Sequence, residues 1–375
     1  MKKELKLAFC LFKYFPFGGL QKNFINILKE SSLRGYKTDV YAIFWEGEKP
    51  EGVNINILPV KGFTNHKRYK SFAEKINKIK KKKNYDAVIG FNKMPGLDLY
   101  YTADVSYAAK MHNRNVLQKM TGRYRTLMWL ENEVFKKDSK TKILLLTTKE
   151  KEFYKAYYKT SPDRFFVMPP GISKKCIPPS NSDEVRNIKR KELNIEENTI
   201  VLLMICTNFK IKGVARAIKA LSSLGPDTLD KTVLVVAGQD NPASYMGLAK
   251  RLKVSEKVKF IGVRKDVPDL LMASDVLLHP ALIENTGTVI VEALAANLPV
   301  ITTDVCGYSF HVALADAGKV IESPFKQDDL DKDLEFMLKM SDYSQFKSNA
   351  KIYIEKTDVF SRAKKAVDVI EKVCA

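Results

Sequence analysis

Two successive series of short apolar runs, each alternating with helical patterns, constrain this chain more than any other feature. The first series places strands at Leu5–Leu11, Thr38–Phe44, Ala87–Phe91 and Ile143–Leu146. Helices are predicted at Leu20–Leu33 and Phe72–Ile79, with a long helical stretch around 107–137. The second places strands at Ile200–Ile205, Val233–Ala237, Val258–Ile261, Val276–Leu278 and Val300–Ile301, and helices at Ala215–Leu224 and Tyr245–Leu252. Apolar runs of strand length bounded by turn signals read as buried strands, and longer runs with a 3.6-residue period as helices. Strands alternating with helices build parallel sheets from right-handed βαβ units. Two such series predict an α/β chain of two Rossmann-like, doubly wound domains. Pro169-Pro170-Gly171 marks the boundary, and Pro178-Pro179-Ser180 prolongs an irregular stretch beyond it. At 375 residues the chain is also too long for one ordinary core. Ligands of open α/β sheets sit beyond the carboxyl ends of the strands. Two facing domains of this kind would leave a cleft, with the two substrates on opposite walls.

In the second series, Glu284-Asn-Thr-Gly-Thr-Val-Ile-Val-Glu292 follows the strand Asp275-Val-Leu-Leu-His-Pro280. It passes into an apolar helical pattern, Val289 to Ala296, that stops at Asn297 and Pro299. This is strand, tight loop, helix. The amides of Asn285, Thr286, Gly287 and Thr288 and the helix N-terminus then converge on one point, which attracts an anion, usually phosphate. Glu284 faces whatever the phosphate carries, and Glu292 reaches a more distant hydroxyl. A carboxylate on each side of a diphosphate suits a nucleotide-sugar. A surface glutamate at a helix start and an unrelated helical glutamate satisfy the same spacing.

Other strand ends add candidates. Phe15-Pro16-Phe17-Gly18-Gly19 follows the first strand, and its two glycines admit close backbone approach by a ligand or simply make a turn. The spelling is not GxGxxG, so no nicotinamide cofactor is signalled. Cys206-Thr-Asn-Phe-Lys-Ile-Lys-Gly213 leaves the first strand of the second series, and Lys212 there is placed to neutralise a leaving diphosphate. Arg264, after Gly262, belongs to the same rim or is an ordinary surface arginine. Asp304 and Asp316 have no evident partner. Asp331-Lys332-Asp333 lies in an acidic helical run and not after a strand, so it is assigned no metal. His66, His112, His279 and His311 lack metal spacing, and His279 reads as a strand-end residue. The five cysteines are scattered without a CxxC, which points to reduced thiols in the cytosol. The N-terminus from Met1 reads as a strand and not a signal peptide, and no apolar run approaches the roughly 18 residues of a spanning helix.

The charge is lopsided. Residues 1–169 hold 34 Lys+Arg against 16 Asp+Glu, leaving 29 against 27 of the total 63 and 43 for the rest. The first half should therefore meet something anionic. No recognition motif accompanies the basic residues, so nucleic acid is not expected. In residues 107–135, Leu117, Met120, Tyr124, Leu127, Met128 and Phe135 recur at helical spacing, flanked by Lys110, Arg114, Lys119, Arg123 and Arg125. Such a segment either lies in an acidic membrane interface or packs its apolar face on the core with a basic face to solvent.

Taken together these residues identify a resemblance. Ala8-Phe-Cys-Leu, Lys13-Tyr-Phe-Pro-Phe-Gly-Gly-Leu-Gln21, Gly90-Phe-Asn-Lys-Met-Pro-Gly-Leu-Asp98, Pro169-Pro-Gly-Ile172, Gly238-Gln-Asp240, Val305-Cys-Gly-Tyr308 and the two-glutamate element occur in order over nearly the whole chain. The chain resembles the lipopolysaccharide glucosyltransferase I proteins, family 4 retaining glycosyltransferases of GT-B architecture. The resemblance implies a first domain, 1–169, that binds acceptor and membrane and is joined by a last helix, about 359–375, crossing back. The second domain, 170–358, would bind nucleotide-sugar. It further implies UDP-glucose as donor and co-substrate, with no cofactor and no metal. The acceptor would be a phosphorylated heptose of the lipopolysaccharide core, at the cytoplasmic face of the inner membrane, whose anionic surface is met through 107–135. Catalysis would fall to Glu284, Lys212 and Asp104, the last near the acceptor. Gly18, Gly19, Gly238, Arg264, Asn285, Thr286, Gly287, Thr288 and Glu292 would hold the nucleotide, Glu292 at the ribose.

Three positions depart from the relatives. Ile211 precedes Lys212 where an arginine is usual, Asn23 stands where an aspartate is usual, and Cys176 aligns with an arginine. The alternatives are a GT-B enzyme with another UDP-hexose or acceptor, including an epimerase, and a non-catalytic protein that binds membrane surfaces.

Overall fold

The computed structural model describes residues 4–16, 18–112, 115–340 and 343–375; Phe17 and Arg114, singled out above, lie outside them. The chain forms two compact units, residues 1–171 with 361–375, and residues 172–360.

The first unit runs β1 (Lys6–Tyr14), α1 (Gly19–Leu33), β2 (Lys37–Trp45), β3 (Asn54–Ile57), α2 (Asn65–Lys82), β4 (Ala87–Gly90), β5 (Leu99–Tyr101), α3 (Tyr107–Met111), α4 (Val116–Lys119), α5 (Gly122–Phe135), β6 (Lys142–Leu145), α6 (Lys151–Tyr158) and β7 (Phe165–Val167). Its strands pair in parallel in the order β3-β2-β1-β4-β5-β6-β7. Side chains alternate across a strand, so β1 serves two cores. Leu7, Phe9 and Leu11 pack with Phe24, Ile27 and Leu28 of α1. Ala8, Cys10 and Phe12 pack with Phe72 and Ile76 of α2 and with Leu130 and Val134 of α5. Each such fully buried large side chain contributes about 1.5–3 kcal/mol.

The second unit runs α7 (Ser182–Glu192), β8 (Ile200–Ile205), α8 (Phe209–Lys212), α9 (Val214–Ser222), α10 (Pro226–Asp230), β9 (Thr232–Ala237), α11 (Ala243–Arg251), β10 (Val258–Phe260), α12 (Val267–Ala273), β11 (Val276–His279), α13 (Thr288–Ala295), β12 (Val300–Thr303), α14 (Ser309–Ala315), β13 (Gly318–Ile321), α15 (Gln327–Lys339) and α16 (Ser344–Lys356). Its strands are also parallel, in the order β10-β9-β8-β11-β12-β13. Val201 and Leu203 face α13 and its neighbours, while Leu202 and Met204 face α9 and α15.

A last helix, α17 (Arg362–Cys374), belongs to the first unit, where Val367 and Ile370 join the core against α1. Its first residue is fully buried. Arg362 Nε donates to Pro169 O (2.9 Å), and Nη1 donates to Asn23 Oδ1 (3.2 Å) and to the Tyr101 hydroxyl (3.3 Å). A Cβ on Gly171 would lie 2.7 Å from the Arg362 Cβ, so the chain's exit is packed directly on its return. Asn23 thus spends its carbonyl on Arg362, and its amide donates to Gly19 O (2.9 Å).

The expected single helical stretch around 107–137 is corrected to three helices. Ser106, Asn115 and Thr121 each accept from the amide three residues on, Ala109, Gln118 and Tyr124 respectively. Each such N-cap starts a new helix and competes with continuation of the previous one. The apolar positions divide accordingly. Val116, Leu117 and Met120 are more than 60% exposed, whereas Leu130, Val134 and Phe135 are buried. The strands β3, β5, β7 and β13 were not anticipated; they have three or four residues each, too few to show a period. Among the described residues no helix is long and apolar enough to cross a membrane.

Candidate active site

In the second sheet the chain runs outward from β8 to β10 on one side and from β11 to β13 on the other. The crevice between β8 and β11 is therefore a topological switch point, where open α/β sheets bind ligands. Two connections leave there, and they are stitched together. Leu282 N donates to Ile211 O (2.7 Å), and Arg216 Nη1 donates to Pro280 O (3.2 Å) and Ala281 O (2.9 Å). Gly213 has φ +81°, and a Cβ there would fall 2.0 Å from Pro280 O. Only glycine allows this approach. Asn208 Oδ1 accepts from Ile211 N (3.0 Å) and Asp240 Oδ2 from Phe209 N (2.9 Å), which fixes the start of α8.

This stitching brings Lys212 to Glu284, and the two side chains form an ion pair that is mostly withdrawn from solvent. Behind them stands His279, 1% exposed, its Nε2 3.5 Å from Glu284 Oε2. Burial acts to raise the Glu284 carboxyl, but His279 and Lys212 outweigh it and hold its pKa down at about 2. Burial acts to lower the His279 imidazole; Cys306 and Glu284 outweigh that and hold it up at about 9. The carboxylate is thus kept ionised at neutral pH.

Gly287, φ +78°, caps α13 in the left-handed region, and Thr286 O accepts from Tyr308 N (2.7 Å). Seven of the eight residues of α13, from Val289 on, are buried, so its N-terminus is anchored while Thr286 to Thr288 turn at the strand ends. Glu292 lies on the second turn, 9% exposed. Gly238 lies at the end of β9. Its amide donates to Gly262 O (2.8 Å), and a Cβ would collide with Cys206 O, so the backbone itself requires glycine.

Arg264, which the sequence leaves as either a rim cation or an ordinary surface arginine, is held in an ion-pair network. Its Nε and Nη2 donate to Asp266 (2.8 and 2.5 Å) and Nη2 also to Glu192 (2.5 Å). Lys189 donates to the same two carboxylates, so the charge offered to a phosphate is neutralised within this network. Asp304 has the partner that the sequence did not reveal, accepting from Ser323 N (2.9 Å) and Oγ (2.6 Å). Cys176 is buried in the core of the second unit. Among the described residues no three His, Cys, Asp or Glu side chains gather in a metal-holding group.

In the first unit Gly18 and Gly19 form the N-terminus of α1. A Cβ on Gly18 would strike the Gln21 side chain, whose Nε2 donates to Lys13 O (3.0 Å), whereas one on Gly19 would meet open space. Asp104 is exposed on the turn after β5.

Residues 185–353 match the family described as Glycosyl transferases group 1. Over 366 residues the chain is 40% identical to lipopolysaccharide glucosyltransferase WaaG of Escherichia coli strain K12, spanning 97% of this chain and 98% of that protein. The chain belongs to the WaaG family of lipopolysaccharide glucosyltransferases. The WaaG crystal structure matches it with a TM-score of 0.92 at 40% identity, over 97% of this chain and 99% of that one. Anabaena HepE, solved with UDP-glucose, matches with a TM-score of 0.75 over 98% and 100%, at 17% identity, a likeness of fold alone. The WaaG-family architecture is GT-B, with two Rossmann-like parallel sheets, and the expectation of a retaining group 1 glycosyltransferase stands. His279 and Arg216 stand beside the Lys212–Glu284 pair, the first expected only as a strand-end residue and the second not singled out in the sequence. The His-Pro at the end of a predicted strand was the available signal for the first; nothing local announced the second.

Proposed function

We propose that the protein transfers glucose from UDP-glucose, with retention, to a phosphorylated heptose of the lipopolysaccharide inner core. The observation that carries this reading is the Lys212–Glu284 pair at the β8/β11 switch point, beside the N-terminus of α13. A diphosphate entering there draws the Lys212 ammonium to itself, and Glu284, kept ionised by His279, turns to the hydroxyls of the transferred sugar. The leaving diphosphate gains charge in the transition state; Lys212 and the amides of Asn285, Thr286, Gly287 and Thr288 stabilise it, so no metal is required. Glu292 holds the ribose. Gly238 shapes the floor through the sheet. Arg264 takes part only if released from Asp266 and Glu192.

No side chain sits as a nucleophile in this reading, so the acceptor hydroxyl attacks from the face the diphosphate leaves. The diphosphate takes the proton, and Asp104 orients the acceptor. The exposed Val116, Leu117 and Met120, with Lys110, Lys119, Arg123 and Arg125 around them, support association with the anionic cytoplasmic face of the inner membrane.

The test is a panel of UDP-hexoses with purified truncated core lipopolysaccharide, read by mass spectrometry. The expected product gains one hexose, from UDP-glucose and not from the other donors. Epimerised or hydrolysed donor without acceptor glycosylation, or vesicle binding without UDP release, would sink the reading.

A further inference from the structure

We infer that Cys306 is a positioning residue for the transfer: as a thiolate it holds the His279 imidazolium against Glu284, and thereby loosens the grip of Glu284 on Lys212. This deepens the proposed function and rests on it.

Strand register places the two side chains together. β11 and β12 run in parallel with His279 opposite Thr302, and Cys306 lies four residues beyond Thr302 in the turn between β12 and α14. That turn is sewn to the connection that carries Glu284. Thr302 Oγ1 donates to His279 O (3.1 Å), Thr303 Oγ1 to Ala281 O (2.9 Å) and Tyr308 N to Thr286 O (2.7 Å). The turn itself is closed by Cys306 N donating to Thr303 O (3.1 Å) and Ser309 Oγ donating to Cys306 O (2.8 Å). The Cys306 thiol is fully buried, with Thr302 Oγ1 3.4 Å from Sγ and the His279 ring beside it.

The ring is held by charge and not by directed hydrogen bonds. Both its nitrogens are buried, and neither makes a hydrogen bond of regular geometry to a described residue. Its polar neighbours are Glu284, with Oε2 3.5 Å from Nε2, and Cys306. Attraction between charges needs closeness more than alignment. The other groups on the elements packed there are Lys212 from α8, Arg216 from α9, which donates to Pro280 O and Ala281 O, and Glu292 from α13. Asp304, in the Cys306 turn, accepts from Ser323, and His311 of α14 meets the Tyr353 hydroxyl at 2.6 Å.

The buried thiols differ in what burial does to them. It pushes the Cys10 thiol up, and the Cys206 thiol up to about 12 despite the charge of Lys212. At Cys306 burial acts the same way, but His279 and Thr302 outweigh it and bring the thiol below its ordinary 9.0. The proton balance is simple. The Cys306 S–H bond breaks and its proton passes to His279, leaving a thiolate and an imidazolium with net charge unchanged. Glu284 then has a second cation, so Lys212 can turn to a diphosphate without leaving a buried carboxylate bare. With a neutral ring, Lys212 is the cation that Glu284 must keep.

The experiment uses the full chain with UDP-glucose. Cys306→Ser keeps the size and cannot ionise. Its UDP-glucose Kd, measured by calorimetry, is expected to weaken by roughly 10-fold at about pH 8 and to return to within 2-fold of wild type at about pH 6, where His279 takes a proton unaided. Cys306→Ala should follow the same pattern. The ultraviolet thiolate absorbance of wild type minus Cys306→Ser should rise below the ordinary thiol range, and that step should move upward in a His279→Asn background. A Kd within 2-fold of wild type at both pH values would overturn the proposal. An equal loss at both would also overturn it, because a merely structural cysteine does not distinguish them. Should the wild type fail to transfer glucose, the proposed function falls, while the thiolate step and its dependence on His279 still decide the pair.

Discussion

At the ends of β8 and β11, Lys212, Glu284 and His279 form a closed cluster in which two cations face one carboxylate, beside the buried helix α13. At the ends of β1, β4 and β5, the equivalent crevice is open, floored by a buried Lys93–Glu131 pair and rimmed by exposed cations. Strand order reverses in both sheets, so both acquire a crevice by the same rule. What differs is where the charge sits. In the second unit it is internal and paired, ready to be exchanged; in the first it is external and in excess, as the +18 of residues 1–169 requires. Topology supplies a place for a ligand, and the lining decides whether chemistry or capture happens there.

The sharpest test of this contrast is Glu284→Ala. Glucose transfer should fall by roughly 10³-fold, with the thermal midpoint and core oligosaccharide binding kept; a loss under 10-fold would dissolve the distinction. In the first unit the matching change is Glu131→Ala, which strands Lys93 and the donors Ser106 Oγ, Tyr107 N and Ala108 N. It should cost about 3–5 kcal/mol of stability, seen in thermal melts, and a change under about 1 kcal/mol would mean the floor is not braced this way. Gly213→Ala must pry α8 from Pro280 and adopt a positive φ; a cost above about 1 kcal/mol with a weakened UDP-glucose Kd is expected, and an unchanged Kd would detach the stitching from the site.

The smallest effect is a split in pH response. Burial acts to raise Glu131, but Lys93 and the Ala108 and Tyr107 amides outweigh it and lower its pKa from 4.5. The unfolded chain then binds the proton more readily, so this stability is present above about pH 4.5 and lost as pH falls further. His279 is held up at about 9 from 6.5, so its contribution is complete below pH 6.5 and lost as pH rises through 9. Both tryptophans, Trp45 and Trp129, lie in the first unit. Their fluorescence should report the acid transition, and hydrogen exchange in β8 and β11 the alkaline one. An alkaline loss that persists in His279→Asn would reassign it.

Much of this was legible in the chain. The strand–turn–helix at 276–295 shows itself through an apolar run, a glycine that must take positive φ and an apolar helix. The Lys212–Glu284 pair does not, because it joins residues 72 apart through the Gly213–Pro280 approach, a packing event with no local signature. Arg264 is half legible, since its partner Asp266 lies two residues on while Glu192 lies 72 back. Glu131 passes in sequence for a polar residue on an amphipathic helix, yet it is the buried keystone of the Asp104 turn. Ser106, Asn115 and Thr121 are cap-type residues whose break signals were present and were outweighed by the apolar spacing.

One consequence of the Lys212–Glu284 pair concerns departure and not entry. A diphosphate in this crevice competes with a resident carboxylate for one ammonium. Under the proposed function, Glu284 would reclaim the lysine once the sugar has gone. The chain would then carry its own eluent, an anion tethered beside the product that helps push spent nucleotide back into solution.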